Sequence, residues 1–192
     1  MSTLPPDLFD ATTLISLSAV LAILGAAYGL SRVTLDAKTS GPLRFLFIWH
    51  AFDALIHFAL EGSFLYHCFL SSVPSSSAVA KGAYPDPHNF LGYTGRVHGA
   101  QAGGSHPMAK LWMVYARADR RWAGVDLTVV SLELLTVFVV GPMAVWACYD
   151  IAKKNPRVNL TMIMLATAEL YGGRFFSYFL FSNLSDLVRE QR

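Results

Sequence analysis

Charge is scarce in this sequence: Asp, Glu, Lys and Arg make up 15% of its 192 residues, against about 25% in a soluble domain. With 54% hydrophobic residues and a mean hydropathy of +0.41, that shortage points to a chain solvated by lipid. Cysteine is scarce too. Cys68 and Cys148 fall near the ends of separate apolar runs, on opposite membrane faces by the topology below, which excludes a disulfide framework. A net charge of +2 and no Lys/Arg-rich block with interleaved aromatics leave no basis for a nucleic-acid partner. The opening stretch MSTLPPDLFD lacks Lys and Arg, so the first apolar run reads as a retained anchor rather than a cleaved signal. Phosphate-binding glycine motifs, a nucleophile elbow and a CxxC are absent. So is an internal repeat, which counts against a proton-coupled transporter. His67, His88, His98 and His106 match no common zinc spacing and read as surface histidines.

What the sequence does have is apolar runs. Four reach the roughly 20 residues needed to cross about 30 Å of hydrocarbon: Thr13 to Leu30, Leu46 to Leu70, Leu127 to Tyr149 and Leu160 to Phe181. Each is expected to be helical, because a lone strand would leave its backbone unpaired in lipid. The fold class is therefore an all-α polytopic membrane bundle of four transmembrane helices. Arg32, Lys38 and Arg44 lie between the first two runs, and Lys153, Lys154 and Arg157 between the last two. The positive-inside rule puts both loops on the cytoplasmic side, although Arg189 and Arg192 count the other way. The loop from Ser71 to about Pro107 is rich in Ser, Gly, Pro and Ala and reads as an irregular excursion. After it, Lys110 to Val125 is expected to form an interfacial helix. Trp112, Tyr115 and Trp122 would sit at the headgroup layer, and Arg117, Arg120 and Arg121 would face phosphates.

Ionisable residues interrupt these runs. Asp53, His57 and Glu61 follow an i, i+4, i+8 spacing, one face of a helix. A charge at the bilayer centre costs at least about 2.5 kcal/mol, so three on one stripe must face a bundle interior or a polar cavity. Trp49, Phe52 and Phe64 add aromatic surface nearby. Glu133 is the one charge in the third run, with Thr136 at i+3 on the same side. A purely structural role is also consistent with the pattern: a polar cluster fixing helix packing, or Glu133 paired with His57 or Arg174. A His and two carboxyls in a dry pocket equally suit a proton relay. In the fourth run Glu169, Tyr171 and Arg174 break the apolar pattern, and Gly172–Gly173 suits close helix packing.

Taken together, IHFALEG (Ile56 to Gly62), LWMVYARADRRWAGVD (Leu111 to Asp126), LELLTVFVVGP (Leu132 to Pro142) and ELYGG (Glu169 to Gly173) resemble the emopamil-binding protein family, the membrane sterol isomerases that share the EXPERA domain. The resemblance covers most of the chain from Trp49 onward. It divides the chain into residues 1–44, with the first helix and a basic loop, and an EXPERA-like membrane domain over 45–192 with the long loop 71–109. His57, Glu61 and Glu133 match the family pattern; Asp53 stands at a position not usually acidic. Family isomerases carry a fifth span, which is expected to be absent here.

The resemblance implies a double-bond shift in a sterol nucleus from the 8,9 to the 7,8 position, or the like in a related terpenoid, in the endoplasmic reticulum membrane. His57 and Glu61 would deliver a proton to the alkene, and Glu133, oriented by Thr136, would stabilise the cation or remove the neighbouring proton. Trp49, Asp53, Phe64, Trp112, Tyr115, Trp122 and Tyr171 would line the substrate site, the aromatic faces favouring a carbocation. No metal or organic cofactor is implied. Cationic amphiphiles are expected ligands, since an ammonium mimics the carbocation, and assembly as a homodimer is left open. The alternative is a non-catalytic sterol- or amphiphile-binding membrane protein, or an inactive truncated paralogue.

Overall fold

A computed structural model describes residues 10–77, 80, 81, 83, 84 and 95–173. Helix α1, Ala11–Thr34, starts where the Asp10 carboxylate accepts the Thr13 amide at 2.6 Å, satisfying one of the free N–H groups of its first turn. Helix α2 runs over Gly41–Leu70, with Pro42 in its first turn, where a missing N–H costs nothing. Its 30 residues make a rod of about 45 Å, longer than the hydrocarbon layer. Helix α3 is Pro107–Ala118. Helix α4, Leu127–Ala152, begins at Asp126, whose carboxylate accepts the amides of Thr128 and Val129 at 3.0 and 3.1 Å. A fifth helix, α5, is described over 158–173.

Among the described residues, three helices are long and apolar enough to cross a membrane: Thr13–Thr34, Gly41–Leu70 and Leu127–Ala152. Their outward side chains, among them Ile15, Leu21, Phe138 and Trp146, are exposed, as lipid-facing residues are. The chain is thus an all-α membrane protein. The expected fourth span begins within α5, and its remainder, Arg174 included, lies outside the described residues.

Three apolar clusters hold the bundle together. Near one end, Ala27, Leu35, Phe47, Ala51 and Ile151 pack α1, α2 and the end of α4. Ala54, Val140, Ala144, Ala147 and Leu165 join α2, α4 and α5, small residues letting backbones approach. Toward the other end, Phe64, Leu65 and Cys68 meet Leu111, Trp112, Val125 and Val129. Both cysteines are free.

Ion pairs at the two ends agree with the topology read from charge. Lys154 Nζ lies 2.8 Å from Asp36 Oδ2, so the α1–α2 and α4–α5 loops share an end. The pair holds the Asp36 carboxyl below its ordinary value. At the opposite end Arg117 bonds Asp10 at 3.1 Å, tying α3 to the start of α1.

Two expectations change here. The long loop is not simply irregular. Ser72–Pro74 pairs antiparallel with Arg96–His98, and Gly99 donates to the His67 carbonyl at 3.2 Å. Gly99 has φ +100°, and a Cβ there would meet Ala123 O and Gly124 Cα at 2.7 Å, so glycine is required where loop and chain cross. His67 and His98, read as surface residues, are buried under this crossing. The expected helix from Lys110 to Val125 breaks at Asp119, and a separate 3₁₀ turn, Arg120–Trp122, follows. Arg121 faces no phosphate. It is buried and bonds the Asp119 carboxylate at 2.6 Å. Burial alone would raise that carboxyl, but the hydrogen bonds from Arg121 outweigh it and hold Asp119 below the ordinary range.

Candidate active site

Midway along α2 the α-helical pattern widens into a π turn over Ile56–Glu61, closed by the Gly62 amide donating to the His57 carbonyl. Helix α4 does the same over Thr136–Val140, closed by Gly141 donating to Thr136. Such turns leave a locally loosened backbone and recur at functional sites. The two π turns pack against one another. Gly141 permits this: a Cβ there would meet the Phe58 ring at 3.1 Å and His57 Cβ at 3.3 Å.

At this crossing His57 is buried, with its Nδ1 2.6 Å from Glu61 Oε2 and its Nε2 3.4 Å from Asp53 Oδ1. The imidazole therefore has a carboxylate at each nitrogen. A neutral ring donates through one nitrogen only, so the arrangement suits a group that takes a proton on one side and releases it on the other. The stripe expected from the i, i+4, i+8 spacing is present, carried through a π turn that the 3.6-residue period does not reveal.

Glu133 is buried one turn before the second π turn. Thr136 Oγ1 lies 3.1 Å from both the Glu133 carbonyl and Glu133 Oε2, so its hydroxyl holds the carboxyl side chain against its own helix. Across the crossing, the carboxyls of Glu61 and Glu133 are near enough to interact electrostatically. The structure thus brings together His57, Glu61, Glu133 and Thr136, with Asp53 on the far side of the imidazole. Glu169 on α5 also faces this region, near enough to interact electrostatically with Asp53 and His57. The sequence marked Glu169 only as a break in an apolar run. That signal, an acid inside a span, was the available clue.

The aromatic residues fall into two groups. Trp112 and Trp122 stack at 5.0 Å with planes 11° apart, and Phe64 sets its edge on both, at 5.3 and 5.1 Å. Tyr115 leans on Trp112 at 5.2 Å, and Trp112 Nε1 donates to Ser63 Oγ at 2.9 Å. These rings form a packed cap that begins within a turn of Glu61, with Trp112 and Trp122 covering one face of each other. Trp49 and Tyr171 stand apart, 50% and 74% exposed.

Comparison with known proteins shows what the chain is similar to. The family described as EBP: EXPERA (EXPanded EBP superfamily) matches residues 107–189. A probable 3-beta-hydroxysteroid-Delta(8),Delta(7)-isomerase of Arabidopsis thaliana is 26% identical over 153 residues, 80% of this chain and 52% of that protein. A protoglabretal synthase of Ailanthus altissima is 26% identical over 139 residues, 72% of this chain and 50% of its own. An isomeliandiol synthase of Melia azedarach is 32% identical over 75 residues, 38% of this chain and 35% of its own. The chain spans about half the length of the first two. The family match over residues 107–189 and the isomerase-named relatives make this chain similar to the EBP (EXPERA) superfamily.

Proposed function

We propose that this chain is a membrane isomerase that moves a carbon–carbon double bond in a sterol or related terpenoid, of the 8-ene to 7-ene type, in the endoplasmic reticulum. The observation that carries the reading is the crossing of two π turns that sets His57 and Glu61 of α2 against Glu133 and Thr136 of α4. The names of the relatives, a Delta(8),Delta(7)-isomerase and two terpenoid synthases, supply the substrate class.

The reaction balances without an outside reductant or oxidant. The His57–Glu61 pair delivers a proton to carbon 9 and leaves a cation at carbon 8. Glu133, held by Thr136, takes the proton from carbon 7, whose C–H electron pair becomes the new 7,8 double bond. Glu133 then releases that proton to solvent and the donor takes one back from solvent, so the cycle is proton-neutral and the hydrogen added at carbon 9 is solvent-derived. Each transfer by a positioned group contributes on the order of 10²–10⁴ in rate. Exclusion of water by the apolar clusters on either side strengthens the electrostatics of the cation. Trp112, Tyr115, Trp122 and Phe64 would close one end of the substrate space, with Trp49 and Tyr171 toward the lipid.

The test is expression in membranes lacking an endogenous isomerase, with a panel of 8-ene sterols and oxygenated terpenoids followed by mass spectrometry. Conversion of one of them to its 7-ene isomer is the expected result. Folded protein that binds a sterol or a cationic amphiphile and converts none of the panel would support a binding protein instead.

A further inference from the structure

Where α1 ends, the bundle leaves a space that the crossing of the π turns does not use. A cavity of about 310 Å³ lies between the end of α1, the first turns of α2 and the last turns of α4. Phe47, Val145, Cys148 and Ala152 form its apolar part, and Thr34, Tyr149 and Lys153 supply its polar groups. Its floor is fixed: Phe47 is buried, and Cys148 donates to the Phe47 carbonyl at 3.6 Å, joining α4 to α2. Its open side faces lipid, since Val145 and Tyr149 are 50% and 54% exposed. Val145, Tyr149 and Lys153 follow an i, i+4, i+8 spacing along one face of α4. They extend over about 12 Å, most of the roughly 15 Å that one leaflet adds to the hydrocarbon core. The apolar end therefore lies at acyl depth and the Lys153 ammonium at headgroup depth.

Charge at this end is unbalanced. Lys154 pairs with Asp36 at 2.8 Å and Arg157 with Asp150 at 3.4 Å. Arg44 bonds the carbonyls of Ser31 and Asp36. Lys153, Arg32 and Lys38 meet no acid among the described residues. The path of the chain explains why Lys153 is left over. After Thr34, Leu35 takes an extended backbone and turns into the buried cluster beneath, so Asp36 reaches Lys154 instead. A lysine at a helix C-terminus also offsets the negative pole of the helix, but that role needs no cavity.

We propose that this cavity is a binding site for an anionic phospholipid. One acyl chain lies along Phe47, Val145 and Tyr149, and the headgroup meets Lys153, with the Thr34 and Tyr149 hydroxyls donating to its phosphate. The basic loops put this end in the cytoplasmic leaflet by the positive-inside rule, where anionic lipids concentrate. A zwitterionic headgroup would bring its own ammonium to a surface already rich in unpaired cations. Phe47 stands ten residues before His57, about 15 Å along α2. The site is thus separate from the crossing and does not depend on the isomerase reading.

The test is lipid selection by the full chain in nanodiscs of equal parts phosphatidylcholine and phosphatidylserine, with retained lipid counted by native mass spectrometry. Wild type is expected to prefer phosphatidylserine by about fivefold or more, the weight of one lysine at an anionic lipid. Lys153→Gln should lower that preference by about fivefold. Lys38→Gln, which removes a charge of the same end outside the cavity, should leave it near the wild-type value. Val145→Phe fills the cavity from the lipid side and should reduce retention of both lipids; if it does not fold, the two lysine variants decide alone. Equal losses from Lys153→Gln and Lys38→Gln overturn the site and leave a diffuse field. Equal retention of the two lipids by wild type overturns the headgroup assignment, and an added sterol retained in place of either overturns the phospholipid. Lower thermal stability of Lys153→Gln in phosphatidylcholine alone, with the preference intact, shows a helix cap and also overturns the site.

Discussion

Midway along α2, ionisable side chains meet across two widened backbone turns; one to two turns further on, rings of the same bundle fill one another's faces. The first region tolerates unpartnered buried atoms on Asp53, His57 and Glu169. In the second, the stack of Phe64, Trp112 and Trp122 is satisfied, down to the indole N–H on Ser63. The contrast separates what the bundle is built to do from what holds it together. Packing that closes completely stabilises, whereas groups held close but not fully paired retain the freedom to exchange protons.

Substitutions in the two regions should therefore fail in opposite ways. Glu133→Gln keeps the shape and removes the proton acceptor, so turnover should drop on the order of 10²–10⁴-fold while thermal unfolding in detergent stays where it was. Phe64→Ala should chiefly lower stability, by about 3–5 kcal/mol in denaturant titrations, with a smaller loss of turnover in the folded fraction because the ring also closes the substrate space. A smaller effect that touches both regions is expected from Gly141→Ala, whose new methyl would press on Phe58 and His57. Overpacking of this kind costs about 1–3 kcal/mol, and separating the π turns should lower turnover as well. Smallest is Ser63→Ala, which strands the Trp112 N–H: about 1–2 kcal/mol of stability, read from the same titration, and unchanged kcat.

The sequence made the site more legible than its surroundings, for a physical reason. Charge inside an apolar run is expensive, so Asp53, His57, Glu61 and Glu133 stood out, and the i, i+4 spacing correctly put the first three on one face. The π turns were hidden because periodicity cannot distinguish a single inserted residue's worth of widening from an ordinary α turn. Contacts between helices were also hidden: nothing local ties Glu169 to Asp53, or Glu61 to Glu133. Outside the membrane the reading by residue type failed where tertiary pairing overrode it. Arg121 looked like a headgroup contact and proved to be a buried partner of Asp119, and His67 and His98 were covered by a loop pinned at Gly99. The helices themselves were legible from length and hydropathy, and the basic loops at one end agree with the Lys154–Asp36 pair.

The central claim is that the His57–Glu61–Glu133 crossing moves a proton to and from a substrate alkene. Its most direct measurement is turnover of an 8-ene sterol or terpenoid by the reconstituted chain in deuterated water, with the label located in the product by mass spectrometry and NMR. The account predicts a 7-ene product carrying solvent deuterium at carbon 9, and none above background with Glu133→Gln. A 7-ene product without deuterium at carbon 9, or equal product from Glu133→Gln, would contradict it.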